Sequence, residues 1–261
     1  MSGRSWRHVP LEMRANRTHP SSHDRLADAA SRARKAHKIL TALTRTLGPE
    51  LGAYVCLDIG CADGKVTRHL AERFSFTIGI EYSRSALFQA KDDASKRLVY
   101  LCGDGQALPL HDGAVDVVVC AQVYEHVPDA ERLLREIWRV LTPGGACFFS
   151  GPNRLFPIEL HTGLPLIHWL PFPWARACVR WLGRSEDYDI RPRTLWGLRR
   201  LARPFAIQDH TLEMLRDPTA YACEDELGPL WWVSRLPRGL LRAIFPFVPN
   251  YNWVLLKSSS G

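Results

Sequence analysis

Leu57-Asp-Ile-Gly60-Cys-Ala-Asp63-Gly64 closes a short apolar run, Val55 to Ile59, and leads into apolar spacing from Val66 to Phe74 that predicts a helix. A strand that passes through a glycine-rich turn into a helix can bring its backbone close to a ligand. The glycines tolerate positive φ, and the first turn of the helix offers N–H groups with no partner in the chain. The turn does not match the dinucleotide pattern G-x-G-x-x-G, because Gly60 is followed by Cys61, Ala62 and Asp63. Its carboxylates would repel a pyrophosphate. A nucleoside-like cofactor that carries positive charge and no phosphate suits it better.

Apolar runs recur on either side of more helical stretches. Phe76 to Ile80, Leu98 to Cys102, Val115 to Cys120, Ala146 to Phe149, Phe205 to His210 and Tyr251 to Leu256 read as strands, and residues 83–94 and 129–140 read as helices. Strands alternating with helices predict parallel pairing through right-handed crossovers. The expected fold is therefore α/β: a doubly wound, Rossmann-like, mostly parallel seven-stranded sheet with helices on both faces. Upstream, residues 24–47 repeat apolar side chains at helical spacing until Gly48-Pro49, so residues 1–50 are expected to form a basic N-terminal arm and helix. The main domain is expected over 51–261, with its cofactor-binding half at 51–152. Twelve of the 18 prolines and seven of the nine tryptophans lie beyond residue 150. That texture breaks a simple βα repeat and predicts insertions at 152–204 and 213–249 on the substrate side.

The later strands also end in polar residues. Glu81 follows the second strand, where a carboxylate can accept both hydroxyls of a ribose, and Asp104 follows the third, where it can accept the exocyclic amine of adenine. Asp116 sits at the opposite, amino end of its strand and reads as structural. LDIGCADG, GIEYS, LCGDGQALPL, DVVVCAQVYEHV and the LTPGG turn at 141–145, taken together, resemble the class I S-adenosylmethionine-dependent methyltransferases, in the type 11 group with the ubiquinone and menaquinone methylases. The resemblance covers residues 52–152. It implies S-adenosylmethionine as cofactor, with Asp58, Gly60 and Gly64 at its methionine end, Glu81 on the ribose and Tyr82 beside the adenine. Asp104, Gly105 and Gln106 would read the adenine edge, and Ala121 would offer a carbonyl near the amino group. Any one of these residues alone could simply shape a turn or end a strand.

A sulfonium is already an activated methyl donor, so transfer asks the protein to align donor and acceptor and exclude water. A hydroxyl acceptor needs a base as well. His126 is the first candidate, and a second cluster, Asn153, Glu159 and His161, follows the fifth strand. Tyr124, Glu125 and Asn153 are the expected substrate-side residues. Leu164 to Leu182 and Leu230 to Val248 mix Trp, Phe and Leu with Arg, which predicts a small, apolar or lipid-like acceptor and peripheral contact with a membrane surface. An ordinary core under the insertions is the competing explanation.

Composition sets outer limits. The 261 residues are 46% apolar and 23% charged, which excludes disordered and fibrous classes. The seven cysteines form no CxxC and no Cys/His zinc spacing, so reduced thiols, no metal and a cytoplasmic location are expected. The first thirty residues lack the apolar core of a secretory signal. The net charge of +7 is carried mostly by the first 54 residues, and that basic arm is the one feature that favours a nucleic-acid methyltransferase. No base-flipping motif accompanies it, so no nucleic-acid partner is expected. A module that binds the cofactor without transferring its methyl group is the third alternative.

Overall fold

The computed structural model describes residues 22–90, 96–159, 162–185, 188–224 and 228–259. One seven-stranded sheet runs through them in the order β3-β2-β1-β4-β5-β7-β6. The strands are β1 (Val55–Ile59), β2 (Phe76–Glu81), β3 (Leu98–Cys102), β4 (Val115–Ala121), β5 (Leu141–Pro152), β6 (Ala206–Asp209) and β7 (Asn250–Leu256). The first five pair in parallel, and β7 enters antiparallel between β5 and β6. The chain order reverses at β1, where β2 and β3 lie to one side and β4 to the other. In an open parallel sheet that switch point, at the carboxyl ends of the strands, is where ligands bind. Asp58, Glu81, Asp104 and Ala121 all come from this end.

The helices are α1 (Ser22–Leu47), α2 (Lys65–Ala71), α3 (Arg84–Ala90), α4 (Ala130–Val140), α5 (Phe172–Trp181), α6 (Leu195–Leu201), α7 (Thr211–Arg216) and α8 (Arg238–Ile244). Two apolar layers cover the sheet. One holds Leu57, Val118 and Phe149 against Leu133, Ile137 and Leu198; the other holds Cys56, Val117, Val119 and Phe148 against Leu70 and Phe74. Ile39, Ala42 and Leu43 of α1 are fully buried in that second layer. Burying one large aliphatic side chain stabilises by about 1.5–3 kcal/mol, so α1 is docked on the sheet rather than held away from it as an arm. The basic segment before it lies outside the described residues, as does the end of the helix expected over 83–94.

Asp116 has the structural task expected of it. Its carboxylate accepts from the Val55 N–H (2.9 Å) and the Thr142 hydroxyl (3.2 Å), which ties three strands together at their amino ends. The LTPGG segment departs from the expected turn. Strand β5 already begins at Leu141, opposite Val115, and pairing resumes at Val117 with Ala146, so residues 142–145 bulge out of the ladder. Gly144 takes φ +80° there, and a Cβ on Gly145 would lie 2.9 Å from the carbonyl oxygens of Asp116 and Thr142. The two glycines let the strand absorb three more residues than β4 has opposite them.

Candidate active site

The turn after β1 is left-handed at alternate residues: Gly60 (φ +73°), Ala62 (φ +49°) and Gly64 (φ +73°). A Cβ at Gly60 would approach Val123 Cγ2 to 2.7 Å, and one at Gly64 would approach the Tyr100 hydroxyl to 2.3 Å. Side chains are therefore excluded at both positions by space as well as by φ. Lys65, at the start of α2, is neutralised by Asp28 and Asp63, each 2.7 Å away. Lys65 is thus spent on these carboxylates, and the acidic groups around the turn suit a cationic ligand.

Asp58 is buried and accepts from the Thr67 hydroxyl at 2.7 Å. Burial pushes its carboxyl up to about 6, with Glu81 adding to the rise against the pull of Thr67 and Lys35. A cationic ligand group beside it would relieve that cost. Glu81 is held at both oxygens: Oε2 accepts from the Ala62 N–H (3.0 Å) and Oε1 from the Ser83 N–H (2.8 Å). Tyr82 beside it is 74% exposed, leaving its ring open for stacking. Asp104 Oδ1 accepts from the Gln106 N–H (2.8 Å) and its side-chain amide (3.1 Å), and Gln106 Oε1 accepts from the Asp129 N–H. A Cβ on Gly105 would meet Ile59 and Leu133 at 3.0 and 3.1 Å, so this glycine packs the loop onto the core. Ala121 ends β4, and Gln122 after it adopts φ +62° with its N–H on the Ser150 carbonyl. Left-handed backbone at a non-glycine residue is strained and concentrates at functional sites.

His126 follows in the next loop, with 36% of its side chain exposed, and its Nδ1 lies 3.0 Å from Asp189 Oδ1. Its Nε2 lies 4.0 Å from Oε1 of the fully buried Glu125. Burial alone would lower the His126 pKa, but Asp189, Glu125 and Glu159 together raise it.

Three expected substrate-side or catalytic residues are occupied elsewhere. The Tyr124 hydroxyl donates to the Pro152 carbonyl and accepts from the Arg193 N–H (3.1 Å), and its ring fills the space left by the missing side chain of Gly151. Asn153, fully buried, donates to the carbonyls of Pro246 and Val248 (2.8 Å each) and accepts from the Leu155 N–H. Glu159 is 1% exposed, and its Oε2 accepts from the Thr162 N–H and hydroxyl at 2.6 Å. All three brace the insertions, Tyr124 and Asn153 through buried backbone and Glu159 through Thr162. His161 lies outside the described residues. Cys61 and Cys120 are buried thiols with pKa values raised by burial, and so pack inertly.

Two residues were not foreseen. Asp189, from the β5–β6 insertion, reaches His126 across 63 positions of sequence. Lys35 of α1 sits within electrostatic range of Asp58 and Glu125, and burial is the main cause of its lowered pKa. It makes no ion pair among the described residues. Its sequence signal was only a basic position on an amphipathic helix.

A cavity of about 210 Å³ is lined by Ile167, His168, Phe172, Ala175, Tyr188, Ile190, Arg154 and Arg191, and Tyr188 and Ile190 flank the Asp189 that meets His126. The Arg191 N–H donates to the Glu125 carbonyl, joining this wall to the loop after β4. A larger depression, about 380 Å³ beside Arg45, Glu213 and Arg216, contains none of the expected site residues.

Comparison with known proteins identifies the family. A family model described as a methyltransferase domain matches residues 57–149. A Mycobacteroides abscessus protein named an uncharacterized methyltransferase is 30% identical over 208 residues, 77% of each chain. The ubiquinone biosynthesis O-methyltransferase of Coxiella burnetii is 33% identical over 109 residues, which are 41% of this chain and 47% of that one. The chain thus spans about half the length of that relative. Among solved structures, an S-adenosylmethionine-dependent methyltransferase from Mesorhizobium loti superposes with a TM-score of 0.55 at 19% identity, covering 82% of this chain and 95% of that one. The [4+2]-cyclase SpnF superposes at 0.54 with 19% identity, covering 93% and 85%. The structural matches share the fold; the sequence matches show that this chain belongs to the class I S-adenosylmethionine-dependent methyltransferases, in the type 11 group.

Proposed function

We propose that this chain transfers the methyl group of S-adenosylmethionine to a small, apolar or lipid-like acceptor. The observation that carries the reading is the set of carboxylates at the carboxyl ends of β1, β2 and β3, with Glu81 and Asp104 pinned by backbone N–H groups beside a left-handed turn whose Lys65 is neutralised by Asp28 and Asp63. Bound there, the cofactor would supply the activated methyl group. Glu81 would then hold the ribose hydroxyls, Asp104 and Gln106 the adenine edge, Asp58 the amino group and Lys35 the carboxylate. The apolar cavity lined by Ile167, Phe172, Ala175 and Ile190 supports the acceptor class, as does the name of the Coxiella relative, a ubiquinone biosynthesis O-methyltransferase.

Fold alone does not establish transfer, since a cyclase shares it. Calorimetry should give saturable binding of S-adenosylhomocysteine and none of NADH or ATP, and methyl-labelled cofactor should deposit label in the organic extract of a cell lysate. Saturable NADH binding in place of S-adenosylhomocysteine sinks the reading. Cofactor binding with no label in any product pool would make the chain a binding module instead.

Replacing Lys35 by Gln should weaken S-adenosylhomocysteine by about tenfold or more, the worth of one charge-assisted hydrogen bond. Adenosine lacks the amino-acid end, so its affinity should not change. Equal loss for both ligands would show that Lys35 merely supports α1.

A further inference from the structure

The insertion between β5 and β6 turns large apolar side chains outward. Leu166, Trp169, Leu170, Trp174, Trp181 and Leu182 are all exposed, Trp174 by 72% and Trp181 by 84%. Scattered exposed leucines need no explanation, but six large apolar residues within seventeen positions form a patch of the kind that marks a docking site. Helix α5 shows how it is built. Ala175 and Val179 point into a small core with Ile167, Tyr188 and Ile190. Trp174 and Trp181, seven residues apart, share the opposite face.

Charge identifies the occupant. Residues 160–185 contain Arg176, Arg180 and Arg184 and no Asp or Glu. None of the three arginines forms an ion pair among the described residues, although the chain supplies acidic residues to arginines elsewhere, as in Arg139 with Glu136 and Asp112. The indole N–H groups of Trp174 and Trp181 likewise have no protein acceptor among those residues, whereas that of Trp169 donates to the Arg154 carbonyl (3.0 Å). Exposed indoles flanked by guanidinium groups that have no acidic partner among the described residues match the boundary between acyl chains and anionic headgroups. A protein partner would need carboxylates over an aromatic surface; a bilayer offers both requirements together.

We propose that α5 and the loop before it seat this protein on an anionic lipid surface. The inner face of the same helix, through Phe172 and Ala175, lines the cavity together with Tyr188 and Ile190, which flank the Asp189 that meets His126. Seating would therefore set that cavity at the membrane boundary, where an apolar acceptor resides. This last step rests on the methyl-transfer reading; the seating does not.

Flotation of the full chain with phosphatidylcholine vesicles, with and without phosphatidylglycerol, tests it. The chain should float with the anionic vesicles only, and added salt should release it. R176Q/R180Q should weaken this partitioning by about 30-fold, at roughly 1 kcal/mol per arginine near the surface. W174S/W181S should weaken it by about tenfold or more. Both variants should keep wild-type affinity for S-adenosylhomocysteine, which verifies the fold independently of lipid. No flotation, equal flotation on neutral vesicles, or variants that float like wild type would overturn the proposal. So would sedimentation showing a dimer that W174S/W181S dissociates, since the face would then join two copies of this chain. Flotation without any S-adenosylhomocysteine binding would sink the methyl-transfer reading and leave the seating intact.

Discussion

An alanine at position 126 should lower turnover by about a hundredfold or more and leave S-adenosylhomocysteine affinity unchanged. His126 lies beyond β4, past the expected cofactor residues, with 36% of its side chain exposed and an acidic partner, Asp189, on its ring. Asp189, 3.0 Å from Nδ1, favours the tautomer with the proton on that nitrogen, which leaves Nε2 as the basic one. The pH dependence follows from the signs. Burial opposes the charged form, but Asp189, Glu125 and Glu159 outweigh it, so the pKa stands above the ordinary histidine value. A base works only when unprotonated, so turnover should fall as pH drops through that raised value. Asp189→Asn removes the largest of the raising contributions and should move the acid limb to lower pH, with a smaller loss of turnover at neutral pH. His126→Ala should abolish the limb. If His126 only fixes its loop, both variants lose stability and the limb stays where it was; unchanged turnover with intact cofactor binding rules it out as the base.

The contrast between His126 and Tyr124 shows what the sequence could and could not convey. Runs such as Val117 to Cys120 are apolar at every position because parallel strands are covered on both faces, and so they stand out with their polar tips. That is why Asp58, Glu81 and Asp104 could be placed at one end of the sheet before any contact was known. Tyr124 and Asn153 occupy equally suggestive places. Whether their polar atoms meet a ligand or a carbonyl depends on Gly151 making room for a ring and on Pro246 and Val248 arriving from nearly a hundred residues away. Local pattern carries no record of such long-range pairing. Lys35 was hidden for a related reason. Helical periodicity shows that α1 has an apolar face, but not what covers it, and a lysine at the margin of that face looks solvated until α1 is seen lying beside Asp58.

Glu81→Ala should weaken S-adenosylhomocysteine by at least about a hundredfold, the loss of two hydrogen bonds to a charged group at roughly 1.5–3 kcal/mol each. Its carboxylate has about four acceptor sites, and the N–H groups of Ala62 and Ser83 fill two of them. Two remain, on oxygens already fixed in place, which matches the vicinal hydroxyls of a ribose and costs little ordering on binding. The same anchoring complicates the variant, because alanine also frees the turn at Ala62 and relieves the electrostatic pressure on Asp58. Affinity alone would therefore mix hydroxyl recognition with turn stability. Comparing adenosine with 2′,3′-dideoxyadenosine separates them. The wild-type chain should prefer adenosine strongly. Glu81→Ala should bind the two alike, and Glu81→Gln, which keeps one carbonyl acceptor, should fall between. A variant that binds both weakly yet still prefers adenosine would show that Glu81 shapes the turn while another group reads the ribose.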